Sequence, residues 1–285
     1  MTAVQKKRPA QRSGGGLWSA VKWTIAIGAA GALSGVFLLI FVFAYIYQQL
    51  PSIDVLTDYR PKVPLRVWSA EGRLIGEFGE ERRDFVRIAD VPKHVKDAIL
   101  CAEDDGFYEH HGIELMGIAR AAIVNVLTGR RGQGGSTITM QVARNFFLTT
   151  ERSYTRKLYE IAMSFKIENE LTKDQILEIY MNQIYLGQRA YGFEAAAKTY
   201  FGRPLAEISV GEAATIAGLP VAPSAYNPIV NPTRATMRRN YVLRRMYDLG
   251  RIDELTYQTE KSLPMEVRRA VELNAVKTSE RADSD

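Results

Sequence analysis

The sequence is poor in the residues that most often build metal sites and disulfides, with one cysteine and three histidines in 285 residues. A single Cys excludes an internal disulfide and any zinc site made of paired cysteines. His94, His110 and His111 are too few and too unevenly spaced for a histidine triad. Acid is missing from the start of the chain: no Asp or Glu precedes Asp54, whereas Lys6, Lys7, Arg8, Arg12 and Lys22 do. With those five cations set aside the net charge of +5 vanishes, because 32 cations then face 32 acids. The basic balance therefore belongs to the tail and gives no support to a nucleic-acid partner. The 46% of hydrophobic residues can supply a core, which excludes global disorder.

Charge is absent altogether from Trp23 to Tyr47, an apolar run of 25 residues. As a helix it would be about 37 Å long, enough to cross a ~30 Å hydrocarbon layer with some tilt. Aromatic residues (Trp18, Trp23, Tyr45, Tyr47) mark its two ends, and the basic flank predicts a cytoplasmic N-terminus. The run exceeds the usual ~7–15 residues of a signal-peptide core, and no small-x-small cleavage site follows it. An uncleaved single-pass anchor in the cytoplasmic (inner) membrane is expected, with the remainder outside the cytoplasm. Gly31 and Gly35 have helix-pairing spacing, which more often reflects only small residues.

The expected organisation is a cytoplasmic tail (1–22), the anchor (23–47), a linker (48–63), a domain (64–261) and a charged tail (262–285). LRVWSAEGRLIGEFG alternates around Ala-Glu-Gly and predicts a hairpin, with DFVRI as a candidate third strand. Helices are expected after Pro92: one with Val95, Ala98, Ile99 and Ala102 on a face, one from Ile113 to Leu127, one capped by Ser136 or Thr137, and one from Ser153. Thr172-x-x-Gln175 and Ser209-x-x-Glu212 are capping boxes, Gly202 and Gly250 fit helix stops, and Pro232 fits a first turn. No βαβ alternation occurs, so the fold class is mainly α with a small membrane-proximal β element and one N-terminal transmembrane helix.

Three segments carry candidate chemistry. Glu103, in EDDGFYEHHG, ends a helix beside Phe107 and Tyr108, whose rings would raise its pKa toward the range of a general base; a solvated helix end is the plainer alternative. GQGGSTITMQ (132–141) opens a helix with glycines and hydroxyls and lacks the order of a P-loop. Six cations (Arg130, Arg131, Arg144, Arg152, Arg156, Lys157) face two acids between Arg130 and Glu160, a concentration suited to a phosphate or pyrophosphate or, equally, to an exposed helix face. Arg156 and Glu160, at i and i+4, read either as a surface ion pair or as a held second carboxylate. The helix holding Arg238, Arg239, Arg244 and Arg245 reads as packed, with a solvated basic side.

In order and spacing these segments resemble the peptidoglycan glycosyltransferase family, the lysozyme-like polymerase module of class A penicillin-binding proteins. EDxxFxxHxG is met by Glu103, Asp104, Phe107, His110 and Gly112; GGSTxxQQ by Gly134, Gly135, Ser136, Thr137 and Gln141, with Met140 replacing the first Gln. RKxxE is Arg156, Lys157 and Glu160; KxxILxxYxN is Lys173, Ile176, Leu177, Tyr180 and Asn182; RxxxVL is Arg238, Val242 and Leu243. STITMQVARNFFL and AGLPVAPSAYNP are similar to the bifunctional 1A type. The SxxK, SxN and KTG motifs of a transpeptidase half do not follow, so the chain reads as a polymerase half without penicillin binding.

The resemblance implies a lysozyme-like fold and polymerisation of lipid II into β-1,4-linked glycan, with inversion at MurNAc C1 and release of undecaprenyl pyrophosphate. It implies Glu103 and Glu160 as catalytic residues. Asp104, Phe107, His110, Gly135, Ser136, Thr137, Gln141, Arg144, Arg156, Lys157, Asn182 and Tyr185 would bind substrate. No cofactor is required, although Mg²⁺ or Mn²⁺ could accompany the lipid pyrophosphate near Glu160. The implied partners are lipid II, the growing glycan strand, the membrane, and cell-wall synthesis or division proteins, with no nucleic acid. Phe146, Phe147 and Leu148 would either dip into the membrane or form a core stripe. A lytic hydrolase would need no pyrophosphate site, so the basic cluster disfavours it. An inactive scaffold is disfavoured by the presence of both glutamates.

Overall fold

From Gly15 to Gln48 the chain is one helix, α1, of 34 residues. Within it Val21–Gln48 is long and apolar enough to cross a membrane. Leu33, Phe37, Leu38 and Phe41 are exposed on it, an arrangement that hydrocarbon accommodates and water does not. This computed structural model describes residues 15–57, 65–70, 74–78, 81–114, 116–117, 135–148 and 154–267. The helix expected at 113–127, apart from its first residues, and Arg130, Arg131, Arg152 and Ser153 lie outside them. So do Gly134 and residues 1–14 and 268–285 of the terminal tails. Two compact units divide the chain, Met1–Leu50 and Pro51–Asp285.

The second unit begins with a helical turn, α2 (Asp54–Thr57), where a plain linker was expected. Ile53 and Leu56 are buried there, and Lys166 Nζ donates to the Pro51 carbonyl at 2.9 Å. The hairpin forms as predicted: β1 (Leu65–Trp68) and β2 (Leu74–Phe78) are antiparallel, with a register shift between Val67 and Trp68.

The third strand differs from expectation. β3 is only Arg82–Arg83, and it pairs in parallel with β4 (Ala190–Tyr191) rather than joining the hairpin. DFVRI stays out of any ladder because its backbone groups are satisfied by side chains of a helix. Asn182 Oδ1 accepts from the Val86 N–H at 2.9 Å, Asn182 Nδ2 donates to the Val86 carbonyl at 2.8 Å, and Glu178 accepts from the Ile88 N–H at 2.7 Å.

The helical body follows from the caps read in the sequence. α3 is Lys93–Glu103, with Val95, Ala98 and Ile99 fully buried. α4 is Ile138–Phe147, capped by the Thr137 hydroxyl, which accepts from the Met140 N–H. α5 (Tyr154–Glu170) packs on α4, as does α6 (Lys173–Gln183), which starts at the Thr172 capping box. α7 (Phe193–Phe201) stops at Gly202 in the left-handed region. α8 (Val210–Ala217), opened by the Ser209 capping box, is built of Ala213, Ala214, Ile216 and Ala217 at zero exposure. Side chains this small let both α3 and α9 (Pro232–Asp248) pack closely on it. α10 (Glu254–Ser262) stacks Tyr257 on Tyr247 of α9 at 5.3 Å.

The basic side of α9 is not simply solvated. Arg239 is buried and its guanidinium donates to the Lys261 and Leu263 carbonyls, which keeps the chain attached beyond Lys261. Arg245 reaches the Cys101 carbonyl and Asp105, leaving Arg244 as the member of the four most exposed to water.

Because Asn182 alone satisfies both backbone groups of Val86, Asn182→Ala should lower stability by about 3 kcal/mol, the order expected when buried polar groups lose their partners. Thermal unfolding in detergent checks this.

Candidate active site

Glu103 is the last residue of α3, and the loop after it is anchored at every polar position that the sequence marked. The buried Asp104 carboxylate accepts from the Ile138 N–H, the first of α4, at 2.9 Å, and His110 Nε2 lies 3.0 and 3.1 Å from its two oxygens. The Gly112 carbonyl accepts from Thr137 Oγ1 at 2.6 Å. Gly112 has φ +80°, and a Cβ there would come within 3.1 Å of the Ser164 backbone, so the loop reaches α5 only with glycine. Phe107 is fully buried, with Lys173 Nζ 4.5 Å above its ring. Lys173 in turn holds Glu168, whose Oε1 also accepts from Thr139. Asp104, Phe107 and Thr137 are thus spent on scaffolding in this structure, as is Nε2 of His110, whose Nδ1 is buried without a partner.

The loop delivers Glu103 to Gln141. Gln141 Nε2 donates to Glu103 Oε2 at 2.8 Å, while Oε1 is buried without a partner. Burial pushes the carboxyl pKa up; the Gln141 hydrogen bond and the Arg238 and Arg144 charges oppose the rise. Phe107 sits under Lys173, and Tyr108 donates to Asp174 at 2.8 Å.

A second cluster starts one residue before the α4 cap. Lys157 Nζ lies 2.9 Å from Ser136 Oγ and 3.0 Å from Glu160 Oε2, and Arg156 Nε lies 3.2 Å from Glu160 Oε1. Glu160 is 1% exposed, so it is a held carboxylate rather than half of a surface pair. The Lys157 side chain keeps 40% exposure and is free to meet an anion. Among the described residues no group of three or more His, Cys, Asp and Glu is placed to hold a metal. Both Glu160 oxygens face cations, so the residues present do not make a metal site by themselves.

Other sequence candidates stand elsewhere. Asn182 is buried and committed to Val86 and the Glu178 carbonyl. Tyr185, 41% exposed, pairs its ring with Tyr191 at 5.0 Å, over which Arg83 stacks. Gly135 leads directly into Ser136, and Phe146, Phe147 and Leu148 are half-buried rather than a closed core stripe. Two residues near Glu103 were missed as site members. Arg238 donates to the Gly218 carbonyl at 3.3 Å, lies over Tyr241, and acts on Glu103 more strongly than Arg144 does. Tyr180 is fully buried, with a hydroxyl that has no partner. Both stood in the motif strings, Arg238 on a helix whose basic side read as solvated and Tyr180 with no role of its own.

The raised Glu103 pKa has a thermodynamic cost. The folded state holds this proton more tightly than the unfolded state, so stability falls as pH rises from the ordinary value of 4.5 through the raised one. Glu103→Gln removes the ionisation and should raise the melting temperature above that window while changing little below it; melting curves as a function of pH check both limbs.

The family described as Transglycosylase matches residues 71–247. Penicillin-binding protein 1A of Neisseria flavescens is 53% identical over 221 residues, 78% of this chain and 28% of that protein. Penicillin-binding protein 1A of Pseudomonas aeruginosa is 48% identical over 271 residues, 94% of this chain and 32% of that one. The chain therefore spans about a third, or less, of the length of these relatives. A crystal structure of penicillin-binding protein 1A from Haemophilus influenzae aligns over 78% of this chain and 24% of that one at 30% identity, with a TM-score of 0.43, too low to bear on the fold. By its matched span and its curated relatives, the chain belongs to the transglycosylase family.

Proposed function

We propose that the chain is a peptidoglycan glycosyltransferase that polymerises lipid II, anchored by α1 with its N-terminus in the cytoplasm and the second unit outside. The observation that carries the reading is the state of Glu103: a carboxylate with a raised pKa, one oxygen tied by Gln141 and the other unpaired. Such a group is suited to take a proton at neutral pH. The residue as a whole is only half-buried, which leaves it within reach of a bound acceptor.

In this reading Glu103 takes the proton from the 4-hydroxyl of the GlcNAc of the incoming lipid II. That oxygen attacks C1 of the MurNAc at the reducing end of the growing glycan, and the bond from C1 to the lipid pyrophosphate breaks with inversion. Negative charge grows on the departing pyrophosphate, and Lys157, Arg156 and Arg144 supply the positive charge that stabilises it. Glu160 keeps Arg156 and Lys157 ordered before the substrate arrives. The half-buried Phe146, Phe147 and Leu148 suit a surface that meets lipid tails. A divalent cation would enter with the pyrophosphate, as a counter-ion of the substrate, because Arg156 and Lys157 occupy both oxygens of Glu160.

Purified chain in detergent should convert labelled lipid II into long glycan, and Glu103→Gln should slow this by about 100-fold or more. Full activity in that variant contradicts the base assignment. Lys157→Ala should weaken donor binding and lower the rate together; unchanged donor affinity would remove Lys157 from the pyrophosphate. Addition of a chelator slows the reaction if a cation travels with the pyrophosphate, and an unchanged rate excludes that role.

A further inference from the structure

Glu103 Oε1 and Tyr180 Oη are both closed to water and both without a hydrogen-bond partner. They come from different elements, the end of α3 and the third turn of α6. The Tyr180 ring is enclosed beside Phe193, with centroids 6.3 Å apart, so its hydroxyl is fixed in place. Glu103 is the charge that acts most strongly on that hydroxyl. Leaving a buried polar atom unpaired is costly, and two such atoms, one of them on the residue whose charge acts most strongly on the other, call for an explanation in function.

We propose that Tyr180 is a positioning residue that acts through Glu103, its hydroxyl donating a hydrogen bond, directly or through one water, to Oε1 of the ionised carboxylate. The inference rests on the reading of Glu103 as the base. Burial raises the phenol pKa well above its ordinary value, so the group stays protonated and serves as a donor to an anion. Gln141 already holds Oε2 from α4. With Tyr180 on Oε1 the carboxylate is fixed from two sides, and the second lone pair of Oε1 remains for the proton of the acceptor hydroxyl.

The other groups facing Glu103 set the background. Arg144 from α4 and Arg238 from α9 favour the anion, and Asp104 disfavours it. Arg238 is held in turn by the Gly218 carbonyl after α8. A neutral donor on Oε1 adds to the two cations without adding charge, and its loss pushes the carboxyl further toward its protonated form.

Tyr180→Phe is the test, since it keeps the ring and removes only the oxygen. In lipid II polymerisation followed from about pH 5 to 9, the acid limb of kcat should move up by about one unit, and kcat at neutral pH should fall about 10-fold with KM little changed. The carboxyl titration of Glu103, read as the infrared difference between each protein and its Glu103→Gln counterpart, should shift upward in the same variant without any substrate. An unmoved acid limb with kcat within about twofold of the parent, or an unmoved carboxyl titration, overturns the inference. Failure of the parent protein itself to polymerise lipid II overturns the functional reading instead, and the infrared titration still decides whether Tyr180 bonds Glu103.

Discussion

Asp104, the residue after the proposed base, gives its buried carboxylate to the first backbone amide of α4 at 2.9 Å and to His110 at 3.0 Å. A helix N-terminus offers unsatisfied N–H groups and a partial positive charge, so an anion placed there is held firmly. This contact welds the end of α3 to the start of α4, and the remainder of the site is arranged about that joint. Gln141, one turn into α4, reaches Glu103; Ser136, just before the cap, reaches Lys157; and Lys157 reaches Glu160. The two glutamates therefore answer to one short helix.

Rigidity here is built from polar groups that are used up. Thr137 bonds both Met140 and Gly112, Lys173 meets Phe107 and Glu168, and Asn182 closes on Val86. Against that background the unpaired atoms stand apart, because a fold that satisfies so many buried groups leaves Glu103 Oε1 open. A carboxylate that is partly desolvated and half-unpaired destabilises the folded state and is reactive for the same reason. Burial raises its proton affinity, while Arg238 and Arg144 keep the anion accessible.

Most helices could be read from local signals. Thr172 and Ser209 carry complete capping boxes, Pro232 opens α9, and Gly202 closes α7, each through contacts within a few residues. The hairpin was legible in the same way, and the motif around Glu103 marked it as a candidate. What escaped depends on contacts distant in sequence. The Val86 pairing with Asn182 spans 96 residues, and nothing near DFVRI announces that a side chain will replace a strand. Arg239 looked like surface charge because the carbonyls it binds lie 22 and 24 residues away. Tyr180 sits on an apolar helical stripe, and its unpaired hydroxyl becomes visible only when α3 and α6 are seen together.

The account stands on Glu103 being a buried carboxyl that titrates above its ordinary value and takes the proton in the reaction. The most direct test compares two curves on the same protein: the carboxyl titration of Glu103, and the acid limb of lipid II polymerisation against pH. The account predicts that they share one midpoint above 4.5. A Glu103 titration at the ordinary glutamate value, or an acid limb that persists elsewhere when Glu103 is titrated, would contradict it.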